Sequence, residues 1–250
     1  MLEFQSVSFR YPQDDYWMMQ NLSFTIEDGA FVSIIGSSGC GKSTIFRLID
    51  GLEVPSSGQI LWDGVPVDAA HRAGAYMPQK DLLFPWRTVG DNVALPLEIR
   101  RMPKKEQQAQ VDAMLQKVGL LAYRDRYPRD LSGGMRQRAA FARTLLTGSS
   151  LLLLDEPFSA LDSLTKISMQ QWLLGEWERE KKTILFVTHD VEEAIFLSDR
   201  ILVVYDRPIT HLVAYPIDLP HPRQRSDLKQ EAIQNLKERL IQELGGGNRP

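Results

Sequence analysis

The sequence of 250 residues contains one cysteine, Cys40, so no disulfide can form within the chain. A lone cysteine favours a reducing compartment. Positive charge is not in excess, because 29 lysines and arginines accompany 32 aspartates and glutamates and the formal net charge is −3. This balance argues against a general nucleic-acid binder, which should carry a basic patch.

Long apolar runs are also missing. The longest ones, such as Leu151–Leu154 and Ile201–Tyr205, fall far short of the roughly 20 apolar residues that span a bilayer. The N-terminus lacks the basic start and apolar run of a signal peptide. We therefore expect any membrane role to depend on a partner. The apolar fraction of 43% is ordinary for a globular protein with a full core.

Strand patterns dominate the first part of the chain. After the first strand, β-rich runs cover residues 22–26, 31–35 and 59–62. The last of these is followed by a hairpin signal at Asp63-Gly64. Turn signals between short strands predict a partly antiparallel N-terminal layer. The first strand shows apolar residues in alternation, at Leu2, Phe4, Val7 and Phe9.

The later part of the chain favours helices and buried strands. Residues 103–118 are charged and helix-favouring, and we predict a mainly helical insertion over residues 88–146. Apolar runs at residues 151–154 and 184–187 are typical of buried parallel strands, with a helix between them over residues 164–181. This alternation predicts an α/β fold with a mainly parallel core sheet.

We expect one α/β domain in four parts. Residues 1–87 form the N-terminal β layer and the phosphate-binding part of the core, and residues 88–146 form the helical subdomain. Residues 147–220 complete the core, and residues 221–250 form an amphipathic helix and tail. The predicted tail helix runs from 226 to 244 and ends at glycines 245–247; its apolar face comprises Ile233, Leu236, Leu240 and Leu244.

A phosphate-binding motif lies between a predicted strand and a predicted helix, where Gly36–Ser43 fits G-x-x-x-x-G-K-S/T. Its glycines let backbone N–H groups close around phosphate oxygens, and the helix N-terminus adds partial positive charge. Lys42 can reach the β- and γ-phosphates, and the Ser43 hydroxyl can ligate Mg²⁺. The expected ATP-binding residues here are Gly36, Ser37, Ser38, Gly39, Cys40, Gly41, Lys42, Ser43 and Thr44.

Cys40 occupies a free position of this motif. We interpret it as a small residue packed beside the nucleotide, and we expect its alkylation to block ATP binding sterically. A helix N-terminus can also lower the pKa of a thiol.

Two adjacent acids, Asp155 and Glu156, end the apolar run 151–154. A buried strand rarely ends in paired carboxylates unless a cation lies nearby. Asp155 is placed to hold Mg²⁺, and Glu156 is placed to orient and deprotonate an attacking water. Since strand residues alternate in direction, the two acids suit different roles. The alternative is a solvated strand end.

A second glycine turn, Leu131-Ser132-Gly133-Gly134, precedes a helical pattern that Ser132 can cap. A capped, glycine-led helix start is a second anion site. Because the first motif already cradles its own ATP, we expect this turn to cover the nucleotide of another copy in a two-fold dimer. The alternative is an ordinary turn before a helix.

These motifs, followed by Ser159-Ala160-Leu161-Asp162 and Thr188-His189-Asp190, occur in the order found in ATP-binding cassette (ABC) proteins. The resemblance covers essentially the whole chain. It implies a P-loop NTPase fold with a helical signature subdomain. It also implies an ATP sandwich dimer that closes with ATP and opens after hydrolysis.

The resemblance implies a role for each matching residue. Tyr11 resembles the aromatic residue that stacks on adenine, although a core or edge tyrosine is the alternative. Gln79 resembles the glutamine that contacts Mg²⁺ and the attacking water, with a solvated loop glutamine as the alternative. His189 resembles the histidine that contacts the γ-phosphate.

Other matching residues are implied in the dimer. Ser132 and Gly134, with Gly133 between them, resemble the groups that bind the partner's γ-phosphate. Asp162 resembles the aspartate that links the two sites, and by itself it is also typical of a helix N-cap.

The loop after Gln79 contains Leu82, Leu83, Phe84 and Trp86. Such residues are costly to expose, so the cluster indicates an interface, unless it packs on the helical insertion. In ABC transporters this region receives a coupling helix from the membrane subunit.

The run 82–93, the segment 158–165 and the tail helix resemble the nitrate/sulfonate/taurine group of bacterial importers, which includes importers of pyrimidine-type precursors. The resemblance implies integral-membrane permease subunits, an indirect solute-binding protein, no nucleic acid, and a peripheral position on the cytoplasmic face of the cell membrane. The alternatives are a soluble ABC ATPase and a P-loop kinase or binding module.

Overall fold

The computed structural model describes residues 1–246. They form two compact units, one comprising Met1–Gly74 and the chain from Leu174 onward, the other Ala75–Leu173. Gly247 and the rest of the predicted tail lie outside the described residues. Within residues 1–246, no helix is both long enough and apolar enough to cross a membrane.

Strands predominate in the first part of the chain and helices in the middle, and the two alternate after residue 150. The strands are β1 (Leu2–Phe9), β2 (Met19–Ile26), β3 (Phe31–Gly36), β4 (Ser57–Trp62), β5 (Val65–Pro66), β6 (Ala75–Met77), β7 (Leu151–Asp155), β8 (Thr183–Val187), β9 (Arg200–Val204) and β10 (Val213–Pro216). The helices are α1 (Lys42–Ile49), α2 (Val89–Ile99), α3 (Lys104–Lys117), α4 (Gly133–Leu145), α5 (Ser163–Glu180), α6 (Val191–Leu197) and α7 (Glu231–Leu244).

The N-terminal sheet of the first unit has the strand order β2-β1-β4-β5 and is antiparallel, as predicted. The alternation in β1 changes phase between Phe4 and Val7 because Ser6 adopts φ 51° and the register shifts there. This β-bulge keeps both apolar pairs on the buried face. Gly58 sits against the bulge, where a Cβ atom would lie 2.3 Å from the Ser6 carbonyl oxygen.

The core strands of the first unit have the order β10-β9-β3-β8, with β3 parallel to both β8 and β9. The parallel arrangement confirms the prediction from the apolar runs. β3 and β8 are buried on both faces, which explains their continuous apolar sequences. The apolar run 201–205, which is too short for a membrane span, forms most of β9.

The second unit contains the parallel pair β6 and β7 together with α2, α3 and α4. Residues 88–146 are mainly helical, with short 3₁₀ turns at Leu121–Tyr123 and Pro128–Asp130. Val111 and Leu115 of α3 are buried, as their helical spacing predicts.

The predicted continuous tail helix over residues 226–244 is wrong at its start. A 3₁₀ turn covers Arg225–Lys229, and α7 begins only after Gln230, which has extended backbone. Ile233 and Leu240 are buried as expected. Glu243 is also buried, because its carboxylate accepts hydrogen bonds from the hydroxyls of Tyr205 and Tyr215.

Asp50 is a buried acid at the C-terminal end of α1. Burial raises the pKa of its carboxyl to about 6, and Arg72, whose Nη1 lies 3.8 Å from Oδ2, partly opposes the shift. Negative charge is also unfavourable near the C-terminus of a helix. The ionised side chain therefore destabilises the fold.

The Asp50→Asn variant is expected to raise the free energy of unfolding by about 1–2 kcal/mol at about pH 7.5. The folded-state pKa lies above the unfolded value, so the wild type loses stability as pH rises from about 4 through about 6, and the variant does not. Urea unfolding across this range measures the difference, which should vanish at about pH 4.

Asp68→Asn is the matched control for Asp50→Asn. A hydrogen bond from the backbone N–H of His71 lowers the pKa of Asp68, so this variant should gain no stability at neutral pH. An Asp50→Asn protein that is less stable than the wild type at neutral pH would contradict the prediction.

Candidate active site

The phosphate loop of the first unit connects the end of β3 to the start of α1. Gly41 adopts φ 112°, and a Cβ atom there would lie 3.1 Å from Cδ1 of Ile209. The first turn of α1 contains no acid and no side-chain cap. Its backbone N–H groups and partial positive charge therefore suit an anion.

Lys42 is buried inside this loop. Its Nζ donates to the carbonyl oxygens of Gly36 and Ser37, both at 2.9 Å, and lies 3.8 Å from the Cys40 Sγ. The ammonium group is thus held by hydrogen bonds inside the loop in which it is expected to bind phosphate. Ser43, the predicted Mg²⁺ ligand, is exposed.

Tyr11 lies against α1. Its hydroxyl is 3.1 Å from Thr44 Oγ1, and its ring meets Phe9 edge-on at 4.9 Å. The Arg47 guanidinium lies 5.9 Å from the ring centroid. These contacts bring Tyr11 and Thr44, both predicted to bind ATP, into direct contact.

His189 is exposed two residues after β8. The next residue, Asp190, caps α6 by accepting from the backbone N–H groups of Glu192 at 3.0 Å and Glu193 at 3.2 Å. This cap fixes the backbone beside His189. α6 was not predicted, although an aspartate followed by two first-turn acids is a helix-start signal.

The acid pair lies in the second unit, where Asp155 is the last residue of β7 and Glu156 follows the strand. Asp155 is buried, and its Oδ2 lies 3.3 Å from the Tyr76 hydroxyl. Glu156 is half-buried and accepts from the Gln79 side chain, with 3.1 Å between Nε2 and Oε2. The structure therefore brings Gln79 and Glu156 together and gives the two acids different environments. The expected cause, alternation along the strand, is wrong, because β7 ends at Asp155 and Glu156 lies outside it.

Glu156 adopts the left-handed conformation, with φ 50°. For a residue with a side chain this costs about 1–2 kcal/mol. Strain of this kind persists only where the surroundings hold it, and it concentrates at functional sites.

The second glycine turn, Leu131-Ser132-Gly133-Gly134, which we call the signature turn, leads into α4. Ser132 caps the helix, with its Oγ accepting from Met135 N at 3.3 Å, which confirms the predicted cap. The helix begins at Gly133, so the glycines lie in its first turn and do not precede it. Ser132 and Gly133 are exposed, so a second molecule has access to this helix start.

Asp162 is exposed, and its Oδ1 accepts from Thr165 N at 3.0 Å, which confirms the predicted N-cap role at α5. A hydrogen bond from the Thr165 side chain lowers the pKa of the Asp162 carboxyl. The side chain is therefore anionic at neutral pH.

The loop after Gln79 is ordered by Asn92 of α2. Its Oδ1 accepts from Phe84 N at 2.7 Å, and its Nδ2 lies 3.1 Å from the Phe84 carbonyl oxygen. The predicted surface cluster is wrong for Leu83, which is 9% exposed, whereas Trp86 is 70% exposed. Leu82 and Phe84 are exposed as well.

Two arginines of α4 that the sequence analysis did not single out brace the same loop. Arg136 Nε lies 3.0 Å from Asp81 Oδ2. Arg143 donates to the carbonyl oxygens of Asp81 and Leu82 at 2.9 Å. No local sequence signal marks these contacts, because the partners are 55 to 62 residues apart.

Mg²⁺ fits the chemistry of the predicted ligands. Among residues 1–246, no three histidine, cysteine, aspartate or glutamate side chains gather in a way that could hold a metal ion. Mg²⁺ that accompanies a nucleotide keeps several waters and needs only one or two carboxylates besides phosphate. Ser43, Gln79 and Asp155 offer hard oxygen donors of the kind that Mg²⁺ prefers.

Comparison with known proteins decides the family. The sequence profile described as ABC transporter matches residues 19–159, more than half of the chain. The chain belongs to the ABC transporter family. The predictions of an α/β P-loop NTPase fold and of ATPase activity are thereby confirmed.

Relatives of this ABC ATPase include import proteins. A formylaminopyrimidine import ATP-binding protein of Halalkalibacterium halodurans is 45% identical, covering 95% of this chain and 93% of that protein. An aliphatic sulfonates import ATP-binding protein of Bacillus cereus is 38% identical, covering 92% of this chain and 89% of that protein. The predicted resemblance to this importer group is confirmed.

A solved structure shows the same architecture as this ABC ATPase. It is a dimeric ATP-binding cassette in a post-hydrolysis state, bound to ADP and phosphate. The two share 29% identity with a TM-score of 0.80, covering 88% of this chain and 100% of that chain.

Proposed function

We propose that this chain is the ATP-hydrolysing subunit of a bacterial importer for a small solute of the nitrate, sulfonate, taurine or pyrimidine-precursor type. The observation that carries the proposal is the hydrogen bond between Gln79 and Glu156 at the end of β7. It joins an expected water-orienting amide to the expected general base. The import functions named for the two relatives support the solute class.

Each catalytic residue has a distinct task in this proposal. Lys42 and the N-terminus of α1 bind the phosphates, and Tyr11 stacks on the adenine ring. Glu156 accepts the proton of the attacking water, while His189 stabilises the charge that develops on the γ-phosphate. Ser43, Gln79 and Asp155 would hold Mg²⁺, which would supply neutralisation of the phosphate charge.

We place the signature turn in the same reaction through a second copy of the chain. Ser132, Gly133 and Gly134 bind the γ-phosphate of the partner's ATP, and Asp162 links the two sites. The exposure of the α4 start and the dimeric state of the similar cassette support this arrangement. Residues 88–146 then act as the helical subdomain that carries the signature.

The loop containing Leu82, Phe84 and Trp86 is the surface that we assign to the permease subunits. Its backbone is held by Asn92 and the α4 arginines, while its apolar side chains face outward. Exposed apolar clusters mark interaction sites. Contact through this loop places the ATPase peripherally at the cytoplasmic face of the membrane, with a solute-binding protein acting on the permease.

Trp86→Ala is expected to lower solute uptake by the reconstituted importer about tenfold or more, because the large exposed ring that we assign to the permease interface is lost. ATP binding by the isolated subunit should not change. The measurements are uptake into proteoliposomes and nucleotide titration. Tyr123→Ala, which removes another exposed aromatic ring in the same unit, is the control. Uptake that matches the wild type after Trp86→Ala would refute the interface.

A further inference from the structure

Gln137 is a buried polar side chain one turn into α4, and it is only 4% exposed. Its amide contacts the segment that follows β7. Nε2 donates to the Glu156 carbonyl oxygen at 2.9 Å and to Ser159 Oγ at 3.0 Å, and Oε1 accepts from Ala160 N at 2.8 Å. Both donor protons and one acceptor position are therefore used.

Three donors converge on the carbonyl oxygen of Glu156. Besides Gln137 Nε2, they are the backbone N–H of Ser159 at 3.2 Å and the Ser159 hydroxyl at 3.0 Å. The direction of this carbonyl fixes the ψ angle of Glu156. The network therefore acts on the backbone of the residue proposed as general base.

The backbone of Glu156 needs such support. Its φ of 50° is unfavourable for a residue with a side chain. The next residue is Pro157, and proline biases the residue before it toward extended backbone. Strained conformations of this kind persist only where neighbouring groups hold them.

We propose that Gln137 is a positioning residue for catalysis, which holds Glu156 in the left-handed conformation that aims its carboxylate at Gln79 and the attacking water. The proposal rests on the proposed function, because it requires Glu156 to be the general base. It also gives the signature helix a direct link to the base, since Gln137 and Ser132 lie on the same helix start.

Gln137→Met keeps the length of the side chain and removes all three hydrogen bonds. In the full-length chain with saturating Mg-ATP, kcat is expected to fall about 10- to 100-fold, because small misplacement of a catalytic group costs rates of that order. KM for ATP should change less than about threefold, since nucleotide binding uses other residues.

Two further variants separate positioning from folding. Gln107→Met removes a glutamine that is 7% exposed and donates to the Met102 carbonyl oxygen at 2.7 Å, and it should leave kcat unchanged. Ser159→Ala, at an exposed position, removes one donor from the Glu156 carbonyl oxygen and should lower kcat severalfold. This variant tests the positioning role even if Gln137→Met folds poorly.

The decisive readout is a double-mutant cycle with Glu156→Gln, followed with radiolabelled ATP. If Gln137 acts through Glu156, adding Gln137→Met to Glu156→Gln should cause little further loss. Multiplied losses in the double variant, or equal losses of kcat in Gln107→Met, would assign Gln137 a merely structural role and overturn the proposal.

Two sets of kinetic results distinguish an error about the general base from an error about the positioning residue. A Glu156→Gln enzyme with normal turnover would refute the general base and both proposals with it. An inactive Glu156→Gln enzyme together with wild-type kcat in folded Gln137→Met and Ser159→Ala would refute only the positioning role.

Discussion

Glu156→Gln is expected to lower ATP turnover by about 10²- to 10⁴-fold, because it removes the general base and keeps the shape of the side chain. The amide can still meet Gln79, which contacts the carboxylate at 3.1 Å in the wild type. ATP binding should persist, since the phosphate loop is unchanged. Steady-state phosphate release and equilibrium nucleotide binding measure the two effects.

The same variant should accumulate as a dimer when Mg-ATP is present. Without hydrolysis, the closed ATP-bound state has no route to its product-bound form. Size-exclusion chromatography with multi-angle scattering measures this, and Glu106→Gln, at an exposed position of α3, is the control. A protein that stays monomeric at saturating Mg-ATP would count heavily against the sandwich dimer.

Ser132→Asp is expected to lower turnover by at least about 10²-fold, because it places a negative charge against the partner's γ-phosphate. Aspartate is as good an N-cap as serine, so α4 should remain folded. Thr88→Asp makes the equivalent change at the cap of α2, where Thr88 Oγ1 accepts from Asp91 N at 3.1 Å, and should retain activity.

Mixing the Ser132→Asp chain with the Glu156→Gln chain tests whether sites are shared. If each site combines the base of one chain with the signature turn of the other, a mixed dimer contains one intact site. Random assortment makes about half of the dimers mixed, and each of these has one intact site of its two. The mixture should then restore about one quarter of the wild-type rate. Mixed dimers that are isolated through two different affinity tags and show no recovery would contradict the shared site.

Local patterns predicted much of the fold and of the candidate site. The caps at Ser132 and Asp162 were predictable because each side chain bonds a backbone N–H three residues ahead. The phosphate loop and the acid pair were also found, since each lies at the end of a strongly apolar strand. These features depend on residues close together in sequence.

Features set by distant contacts were not predictable. Leu83 carries the same apolar signal as Leu82, yet only Leu83 is buried. The break at Gln230 interrupts a pattern that otherwise suits one helix. Gln137 bonds Glu156 across 19 positions, and no spacing rule identifies such a pair.

The lone cysteine has a practical consequence. Cys40 is 5% exposed inside the phosphate loop, so the alkylation that is expected to block ATP binding requires the loop to open first. A cysteine introduced at an exposed site such as Tyr123 should therefore take up a spin or fluorescent label selectively. The natural thiol can stay in place, and spectroscopic distances between two protomers can be recorded through the nucleotide cycle without first building a cysteine-free protein.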